Sequence, residues 1–320
     1  MSTRFRPVTD DEMTHAFAYE VTEPISKVTR DQYELEAEGA HYRPEWTWIA
    51  ERDGRVLARA LWWGFSDGKY PLALNCLSTA DDVEDPVALA AELLDAGHRA
   101  FRDSGAQDLP DYHLKLPVGW RERPDVVSAL EWRHAAATRA GLNMENERLR
   151  FEWTPDIEVA DPEGRLVYTP EPDDEVFAEV FRRVAVDSLD FDTRQELLVM
   201  SPERQAREDL ELYRGFPGKR EWWRLAHTPE GELVGLIVPT RNPYGPTIGY
   251  IGVVPEQRGN GHVRDMLAET TRILVTEAEA VHISAATDLA NRPMAAAFEA
   301  AGYRNTEIRL VLSPSPGEQG

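Results

Sequence analysis

The spacing of apolar residues along the chain predicts an α/β protein. Apolar and polar positions alternate over 46–50 and 55–62, and the Asp-Gly pair between the two runs predicts a β-hairpin. Apolar residues then recur at helical spacing after Pro86 and after Pro124, where proline suits the first helical position. Runs of both kinds continue to residue 312, so strands and helices alternate along the chain.

A pattern from the first half of the chain returns in the second half. Residues 221–226 are EWWRLA where residues 45–50 are EWTWIA, and each run is followed by a glycine-containing turn and another apolar run. Two copies of one α/β unit explain this repeat. We predict domains at 1–153 and 165–312, a Pro- and acid-rich linker at 154–164 and a mobile tail at 313–320.

The composition is that of a globular protein without a membrane span. The 320 residues are 42% hydrophobic, yet no run of about 18 apolar residues is present. The first residues lack the apolar core of a secretory leader. Cys76 is the single cysteine, which excludes a disulfide framework and a cysteine metal cluster. We expect a cytoplasmic protein that requires no metal.

The net charge of −22 disfavours two classes of partner, nucleic acid and anionic membrane surfaces. An acidic surface suits a cationic small molecule such as an amine, although acidic composition also serves solubility alone. We expect a small-molecule amine as the substrate and a monomer or homodimer as the assembly.

The stretch from Tyr250 to Val263 predicts an anion site. It reads as a strand that ends near Pro255, a turn with two glycines, and a helix. The free amides and positive dipole end of such a helix favour a pyrophosphate. A Gly-Lys-Ser/Thr ending is absent, and Arg264 stands where a dinucleotide fingerprint requires its third glycine, so neither of those phosphate loops is present.

This stretch resembles the acetyl-CoA loop of the GCN5-related N-acetyltransferase (GNAT) family. Val253-Val254-Pro255 matches the Val-x-Pro that ends the family's fourth strand, and Arg258-x-x-Gly261 matches most of the loop. Val263 departs from the pattern, because the family has Gly or Ala there.

The resemblance implies two tandem GNAT-like domains, each with a mixed, mostly antiparallel twisted sheet flanked by helices. This tandem layout is similar to mycothiol synthase and related actinobacterial enzymes. In the first copy, residues 79–85 contain neither glycine nor arginine and are acidic, so we expect a degenerate domain that binds no CoA.

In the second copy, the resemblance implies that acetyl-CoA is the co-substrate. Its expected contacts are Gly252, Val253, Val254, Arg258, Gly259, Asn260, Gly261, His262, Val263, Asn291 and Phe298.

The implied reaction is direct attack of a primary amine on the thioester, which needs a base and an oxyanion donor. The family's oxyanion donor would be Gly252, Val253 or Val254, and Phe298 stands where the family has its tyrosine acid. Candidates for the base are Asp288, Asp187 and Tyr250. Asp288 could instead cap a loop, and Phe298 could be a core aromatic residue.

The expected acceptor site lies between the first two helices of the second copy. Its candidate residues are Asp187, Asp190, Asp192, Trp222 and Tyr244. A solvated acidic loop at 187–192 is the alternative. The resemblance thus predicts an acetyl-CoA-dependent N-acetyltransferase acting on a small amine; a non-catalytic acyl-CoA-binding or sensing protein, or a transferase that uses a different acyl-CoA, remain open.

Overall fold

The structure is a computed structural model that describes residues 2–159 and 164–315. It divides the chain into two compact units. Unit 1 consists of Met1–Asn146 and Arg309–Gly320, and unit 2 consists of Glu147–Ile308. Parts of the predicted linker (160–163) and tail (316–320) lie outside the described residues.

Unit 1 begins with four antiparallel strands, followed by a strand in parallel pairing. The strands are β1 (Arg4–Pro7), β2 (Thr47–Arg52), β3 (Arg55–Trp63), β4 (Ala73–Thr79) and β5 (Asp111–Leu116). The helices are α1 (Arg30–Glu38), α2 (Pro86–Asp103) and α3 (Pro124–Arg139), and β6 (Met144–Trp153) follows α3.

Unit 2 repeats this order with two further helices at its start. Its elements are β7 (Val167–Pro170), α4 (Asp174–Ala185), α5 (Phe191–Val199), α6 (Pro202–Gly215), β8 (Arg224–His227), β9 (Leu233–Asn242), β10 (Gly245–Val253), α7 (His262–Glu277), β11 (Ile283–Asp288), α8 (Arg292–Ala300) and β12 (Arg304–Ser313). Strands β7 to β10 are antiparallel, and β10 and β11 are parallel. The predicted fold class, with a mixed and mostly antiparallel sheet in each copy, is confirmed.

The units differ from the sequence-based domain boundaries at the last strand of each copy. Residues of β6 from Glu147 onward belong to unit 2, where they pair antiparallel with β11. Residues of β12 from Arg309 onward belong to unit 1, and β12 is next to β5 in the strand order. Each of these strands belongs to the unit whose strands it pairs with, and those strands are distant in sequence. The apolar pattern of a strand does not show which strand it pairs with.

The repeat seen in the sequence has a structural counterpart. In both copies a short 3-10 turn leads into the strand, and its last residue is the aligned tryptophan, Trp46 or Trp222. The predicted Asp53-Gly54 hairpin turn is also present, with φ of +54° and +77° at its two residues, which is the combination that a type I′ turn requires.

Helix α5 begins at Phe191, near the end of the acidic segment 187–192, and the sequence analysis did not predict it. Asp190 is the N-cap residue of this helix, and its Oδ1 accepts hydrogen bonds from the Thr193 N–H and hydroxyl at 2.9 Å. An acid before a first turn is a typical helix start, so the signal was present in the sequence.

Helices α4 and α6 cover one face of the unit 2 sheet through an aromatic core. Phe177, Phe181 and Trp223 are buried there together with aliphatic residues of β9. Among the described residues, none of the helices is both long enough and apolar enough to traverse a bilayer.

Candidate functional site

Strands β10 and β11 separate in the middle of unit 2. β10 carries a bulge at Gly249, where the register against β9 shifts between Ile248 and Tyr250. In the described residues, the parallel pairing with β11 is limited to Thr247 and Ser284, where the Thr247 hydroxyl also donates to the Ser284 carbonyl at 2.8 Å. Beyond this point the two strands leave a cleft between their backbones.

Backbone groups of β10 face this cleft at alternate residues. The Val254 N–H donates to the Val234 carbonyl on β9 at 2.9 Å. The backbone N–H and C=O groups of successive residues point to opposite sides of a strand. Those of Gly252 therefore also point to β9, whereas those of Ile251 and Val253 point to the cleft. Of the three predicted oxyanion donors, only Val253 therefore presents its N–H to the cleft.

The loop between β10 and α7 has the backbone of an anion site. Gly259 and Gly261 adopt φ of +82° and +77°, which glycine tolerates best, and α7 starts directly after Gly261. In the described part of the chain, the N–H groups of residues 259–263 have no hydrogen-bond acceptor. These open amides at the positive end of the helix dipole are suited to a phosphate group.

Arg258 does not point its guanidinium group into this loop. Its Nη2 donates to the Val184 carbonyl at 2.7 Å, its Nη1 to the carbonyls of Val186 and Asp187 at 2.9 and 3.2 Å, and its Nε to the Val253 carbonyl at 3.1 Å. Arg258 thus satisfies the orphan carbonyls at the C-terminus of α4. The sequence-based assignment of this side chain to the cofactor does not match its contacts.

Arg165 supplies positive charge to the loop instead, which the sequence analysis missed. Its Nη1 lies 3.5 Å from the Asn260 carbonyl oxygen. The pKa of His262 is lowered, first by burial and then by the charge of Arg165, so the imidazole is neutral at pH 7. Arg165 precedes β7 and lies 95 residues from Asn260, so no local motif could indicate the contact.

Unit 1 contains an equivalent separated strand pair. β4 has a bulge at Asn75, since its register against β3 passes from Cys76 directly to Leu74, and β4 pairs with β5 only at Ala73 and Leu74. Leu77 follows this bulge by two residues, as Ile251 follows Gly249. The cleft-facing backbone position of unit 1 is therefore Leu77.

The protein's own side chains fill this position in unit 1. Ser26 Oγ accepts a hydrogen bond from the Leu77 N–H at 2.9 Å, and Arg133 Nε donates to the Leu77 carbonyl at 2.9 Å. At the start of α2, Asp85 Oδ1 accepts from the Ala88 N–H at 2.9 Å, so a carboxylate stands where α7 has open amides. These contacts support the expectation that unit 1 binds no CoA.

The predicted cofactor contacts on α8 have structural roles. Asn291 is the N-cap residue of α8, and its Oδ1 accepts from the Met294 N–H at 3.3 Å. Phe298 is only 1% exposed, with its ring centroid 4.9 Å from that of Phe151 and 5.3 Å from that of Tyr303. Phe298 is thus a core aromatic residue, as the alternative interpretation held, and its buried ring offers no surface to a cofactor.

Asp288 joins α5 to β11 and is not a free base. Its Oδ2 accepts from the Phe191 N–H at 2.6 Å, and its Oδ1 lies 3.4 Å from Arg148 Nε. Arg148 also contacts Asp192 at 3.2 Å, and the charges of Asp192, Asp288 and Asp190 help to raise its pKa against the effect of burial. This cluster anchors α5 to β11 and pairs with Arg148 both the candidate base Asp288 and the candidate acceptor contact Asp192.

The remaining acceptor candidates are dispersed in the fold. Asp187 is exposed with φ of +52°, beyond the end of α4. Trp222 is 3% exposed and, like its repeat partner Trp46, belongs to the core. Tyr244 is 66% exposed at the turn between β9 and β10, eight residues before Gly252 and thus about 25 Å along the strand from that residue. The structure does not bring these three residues together.

Tyr250 lies beside the bulge but cannot act as a base near pH 7. Its ring packs against Phe181 at 5.2 Å and Tyr213 at 5.9 Å between centroids. Burial, followed by the charge of Asp209, raises the pKa of its phenol well above the ordinary value. The hydroxyl therefore keeps its proton and can only donate it.

Helix α6 contributes three polar residues that the sequence analysis missed: Gln205, Asp209 and Tyr213. They are four residues apart and share one face of the helix. Gln205 Nε2 donates to Asp209 Oδ2 at 2.6 Å, and Tyr213 contacts Tyr250. The buried stripe of α6 also contains Ala206 and Leu210, so a polar residue on an apolar face was the available signal.

Comparisons with known proteins identify the fold. No protein-family model matches the chain, and no curated protein matches it either. A GCN5-related N-acetyltransferase from Sphaerobacter thermophilus superposes with a TM-score of 0.58 at 15% identity, over 98% of this chain and 97% of its own. This chain has the GCN5-related N-acetyltransferase fold. Because the match runs through nearly the whole chain, both units belong to the GNAT fold.

Two other solved structures are similar. The GCN5-related glucosamine N-acetyltransferase region of a fungal multi-domain β-N-acetylglucosaminidase has a TM-score of 0.55 at 13% identity, over 97% of this chain and 38% of that one. A tandem GNAT protein from the clavulanic acid biosynthesis pathway has a TM-score of 0.48 at 17% identity, over 99% of this chain and 100% of that one. The two matches with TM-scores of 0.58 and 0.55 show the GNAT fold alone at these identities, and the chemistry follows from this chain's own residues.

Proposed function

We propose that this protein is an acetyl-CoA-dependent N-acetyltransferase whose acceptor is a small primary amine. One contrast carries the proposal. The cleft between β10 and β11 keeps the backbone groups of Ile251, the Val253 N–H and the first amides of α7 open, whereas the protein's own side chains fill the equivalent cleft of unit 1.

The residues of unit 2 fit a CoA thioester. The backbone N–H and carbonyl of Ile251 would bind the amide-containing arm, and the open amides of residues 259–263, near Arg165, would bind the pyrophosphate. Bound in this way, acetyl-CoA supplies an activated acyl carbon. The Val253 N–H is the cleft-facing donor available to the thioester oxygen, where it would stabilise negative charge in the transition state.

The acceptor is expected to enter from the side of α5 and α6. This wall of unit 2 lies near Tyr213 and Tyr250 and carries four acidic residues: Asp190, Asp192, Glu196 and Asp209. A negative potential at the wall attracts cations and repels anions. Together with the net charge of −22, it favours an amine over a carboxylic or phosphorylated acceptor. One buried cysteine fits a reducing compartment such as the cytoplasm, where we place the reaction.

A screen of primary amines with acetyl-CoA, followed through release of the free CoA thiol, tests the proposal. We expect amine-dependent thiol release from the wild-type protein. Calorimetric binding of acetyl-CoA without thiol release from any amine would show a CoA-binding protein that is not a transferase. Faster release from propionyl- or succinyl-CoA than from acetyl-CoA would assign a different acyl donor.

A further inference from the structure

A buried polar cluster on α5 and α6 lacks one hydrogen-bond partner. Gln205 is 0% exposed, and its Nε2 donates to Asp209 Oδ2 at 2.6 Å and to Glu196 Oε2 at 3.3 Å. Its Oε1 is also buried, and the described residues provide no donor for it. The amide orientation follows from the two carboxylates, which require the NH₂ group. The cluster therefore has two acids and a buried acceptor oxygen, but no N–H to satisfy that oxygen.

The cluster lies on the side of α6 that faces the bulged strand. Gln205, Asp209 and Tyr213 follow one another at four-residue spacing along this face. A Cβ atom on Gly249 would lie 3.3 Å from Tyr213 Cε1, so the tyrosine ring rests against the bulge. Among charged groups, Asp209 has the largest effect on the Tyr250 phenol. The acids of the cluster are thus next to the widened part of β10.

We propose that Gln205, Asp209 and Glu196 form the subsite for the acceptor's ammonium group, and that Asp209 takes the proton from that group. The proposal rests on the proposed acetyltransferase function and deepens it. An ammonium ion has three N–H donors, so it can satisfy Gln205 Oε1 and both carboxylates at once. Buried carboxylates are stabilised by such a cation, and the cation would also offset their mutual repulsion.

The charge around the subsite also selects the class of amine. The charges of Asp190 and Glu208 act on Asp209 in addition to that of Glu196, so the surroundings of this carboxyl are negative. A carboxylate next to the amine, as in an α-amino acid, would be repelled at this distance. The preferred acceptor is an alkyl amine without an adjacent acid, and a second ammonium group on the same molecule strengthens binding.

The proton and bond changes balance without a further reactant. The acceptor ammonium gives one proton to the Asp209 carboxylate, and the freed nitrogen lone pair forms the C–N bond. The C–S bond breaks, and the sulfur leaves with the electron pair. The second proton shed by the nitrogen neutralises the thiolate, and the Asp209 carboxyl later returns its proton to water.

The environment of Asp209 suits a base that works near neutral pH. Burial raises the pKa of its carboxyl to about 7; the hydrogen bond from Gln205 opposes this effect, and the charges of Glu196, Asp190 and Glu208 add to it. The titratable groups around Asp209 are the acids of the α5 segment and the neutral phenols of Tyr213 and Tyr250. Arg148 on β6 lies close enough for its charge to oppose the rise in the pKa of Tyr213. A general base is most effective when its pKa lies near the working pH.

The test compares the wild-type protein with Asp209→Asn and with Glu211→Gln, a matched control on the exposed side of α6. The probes are acetyl-CoA with n-butylamine, 1,4-diaminobutane and alanine. Acetyl-CoA affinity is measured by calorimetry, kcat and KM by thiol release from pH 6 to 9, and amine binding by saturation-transfer NMR. Thermal unfolding confirms that each variant is folded, and Asp209→Glu serves as the conservative variant.

We expect Asp209→Asn to lower kcat by about 10²-fold or more and to remove the rise in kcat around pH 7, with acetyl-CoA affinity unchanged. Asp209→Glu should retain part of the activity, Glu211→Gln should behave as wild type, and 1,4-diaminobutane should be preferred over alanine.

Two results would overturn the subsite while the proposed function stands: an unchanged pH profile in Asp209→Asn, or equal amine binding by wild type and Asp209→Asn. Amine binding to neither protein overturns it too. Absence of acetyl-CoA binding to the wild type would instead overturn the proposed function itself.

Discussion

Arg258 shows how a residue can match a motif and still serve another purpose. Its place in the loop agrees with the resemblance to the acetyltransferase loop, yet its guanidinium group donates to four carbonyls, three of them at the end of α4. A planar guanidinium with five donors suits such a set of acceptors. Sequence alone could locate the loop but not the direction of this side chain, because three of its four partners lie more than 70 residues away.

We expect Arg258→Ala to lower the free energy of unfolding by about 2–3 kcal/mol, because several carbonyls lose a charged donor. Arg258→Lys should recover only part of the loss, since one ammonium group cannot reach all four acceptors. Urea unfolding measures both effects, and Arg264→Ala, on the exposed side of the first turn of α7, is the control. A fall in acetyl-CoA affinity at unchanged stability would contradict this role.

Asp209 should reduce the stability of the fold at neutral and alkaline pH. The pKa of its carboxyl is about 7 in the folded protein and about 3.9 in an unfolded chain, so the folded state disfavours the charged form. Well below pH 4 both states are protonated and the carboxyl has no effect on stability. Between pH 4 and 7 the unfolded state loses its proton first, and stability falls as the pH rises.

Asp209→Asn should therefore raise the free energy of unfolding at pH 8 by about 1–3 kcal/mol, and this gain should vanish at a pH of about 3. Denaturant titrations at the two pH values measure it, with Glu211→Gln as the control. An equal gain at both pH values would mean that packing, and not the buried charge, causes the change. A variant that is more stable but less active is typical of a residue that the fold retains for function.

At the scale of elements, the sequence could predict those whose signals are local. The Asp53-Gly54 hairpin, the helix after Pro86 and the strand–loop–helix around Gly261 carry their turn and cap residues in the sequence itself. Helix α5 was missed because its acids suggested a binding loop, although Asp190 is a helix cap. Membership of β6 and β12 depends on pairing with distant strands, which no local pattern reports.

The turn at the start of α7 depends on Gly261, and this leads to a test of the loop. Gly261→Ala imposes a side chain on a residue with φ of +77°, which costs about 1 kcal/mol and favours a rearranged turn. We expect acetyl-CoA affinity to fall about tenfold, and Gly261→Asp to abolish binding because it adds negative charge at the anion site.

Gly141→Ala is the matched control for this strain. Gly141 has φ of +91° at the end of α3 in unit 1. A Cβ atom added there would have no heavy atom within 4 Å, so the substitution causes backbone strain without a steric clash. The control should lose a similar amount of stability and keep acetyl-CoA affinity, both measured by calorimetry. Equal affinities in Gly261→Ala and wild type would show that the loop does not bind the pyrophosphate.

At the scale of the whole molecule, duplication has left two clefts with different contents. The acidic segment 79–85 was sufficient to predict from sequence that the first copy lacks a phosphate loop. The contacts that fill its cleft could not be predicted, because Ser26 and Arg133 lie 51 and 56 residues from Leu77. In the second cleft Arg258 binds the Val253 carbonyl, and among the described residues no side chain binds the backbone of Ile251, which corresponds to Leu77.

Acetyl-CoA should therefore bind once per chain. Isothermal calorimetry on the wild-type protein measures the stoichiometry directly, and a value of two would contradict the assignment of unit 1. The sharper form of this prediction uses Arg133, which is 0% exposed and donates to the carbonyls of Leu77 and Ala129 while pairing with Glu23 at 2.5 Å.

Arg133→Met removes the guanidinium group that fills the unit 1 cleft and keeps most of the side-chain volume. It leaves Glu23 without its cation and the Leu77 carbonyl without its donor, so we expect a loss of about 3 kcal/mol in the free energy of unfolding. The double variant Arg133→Met/Glu23→Gln should recover part of this loss, because the unpaired charge is gone. In both variants the stoichiometry should remain one acetyl-CoA per chain, since Asp85 still caps α2 with negative charge where α7 offers open amides. A second binding event in either variant would show that the filled cleft alone, and not the lost phosphate loop, keeps CoA out of unit 1.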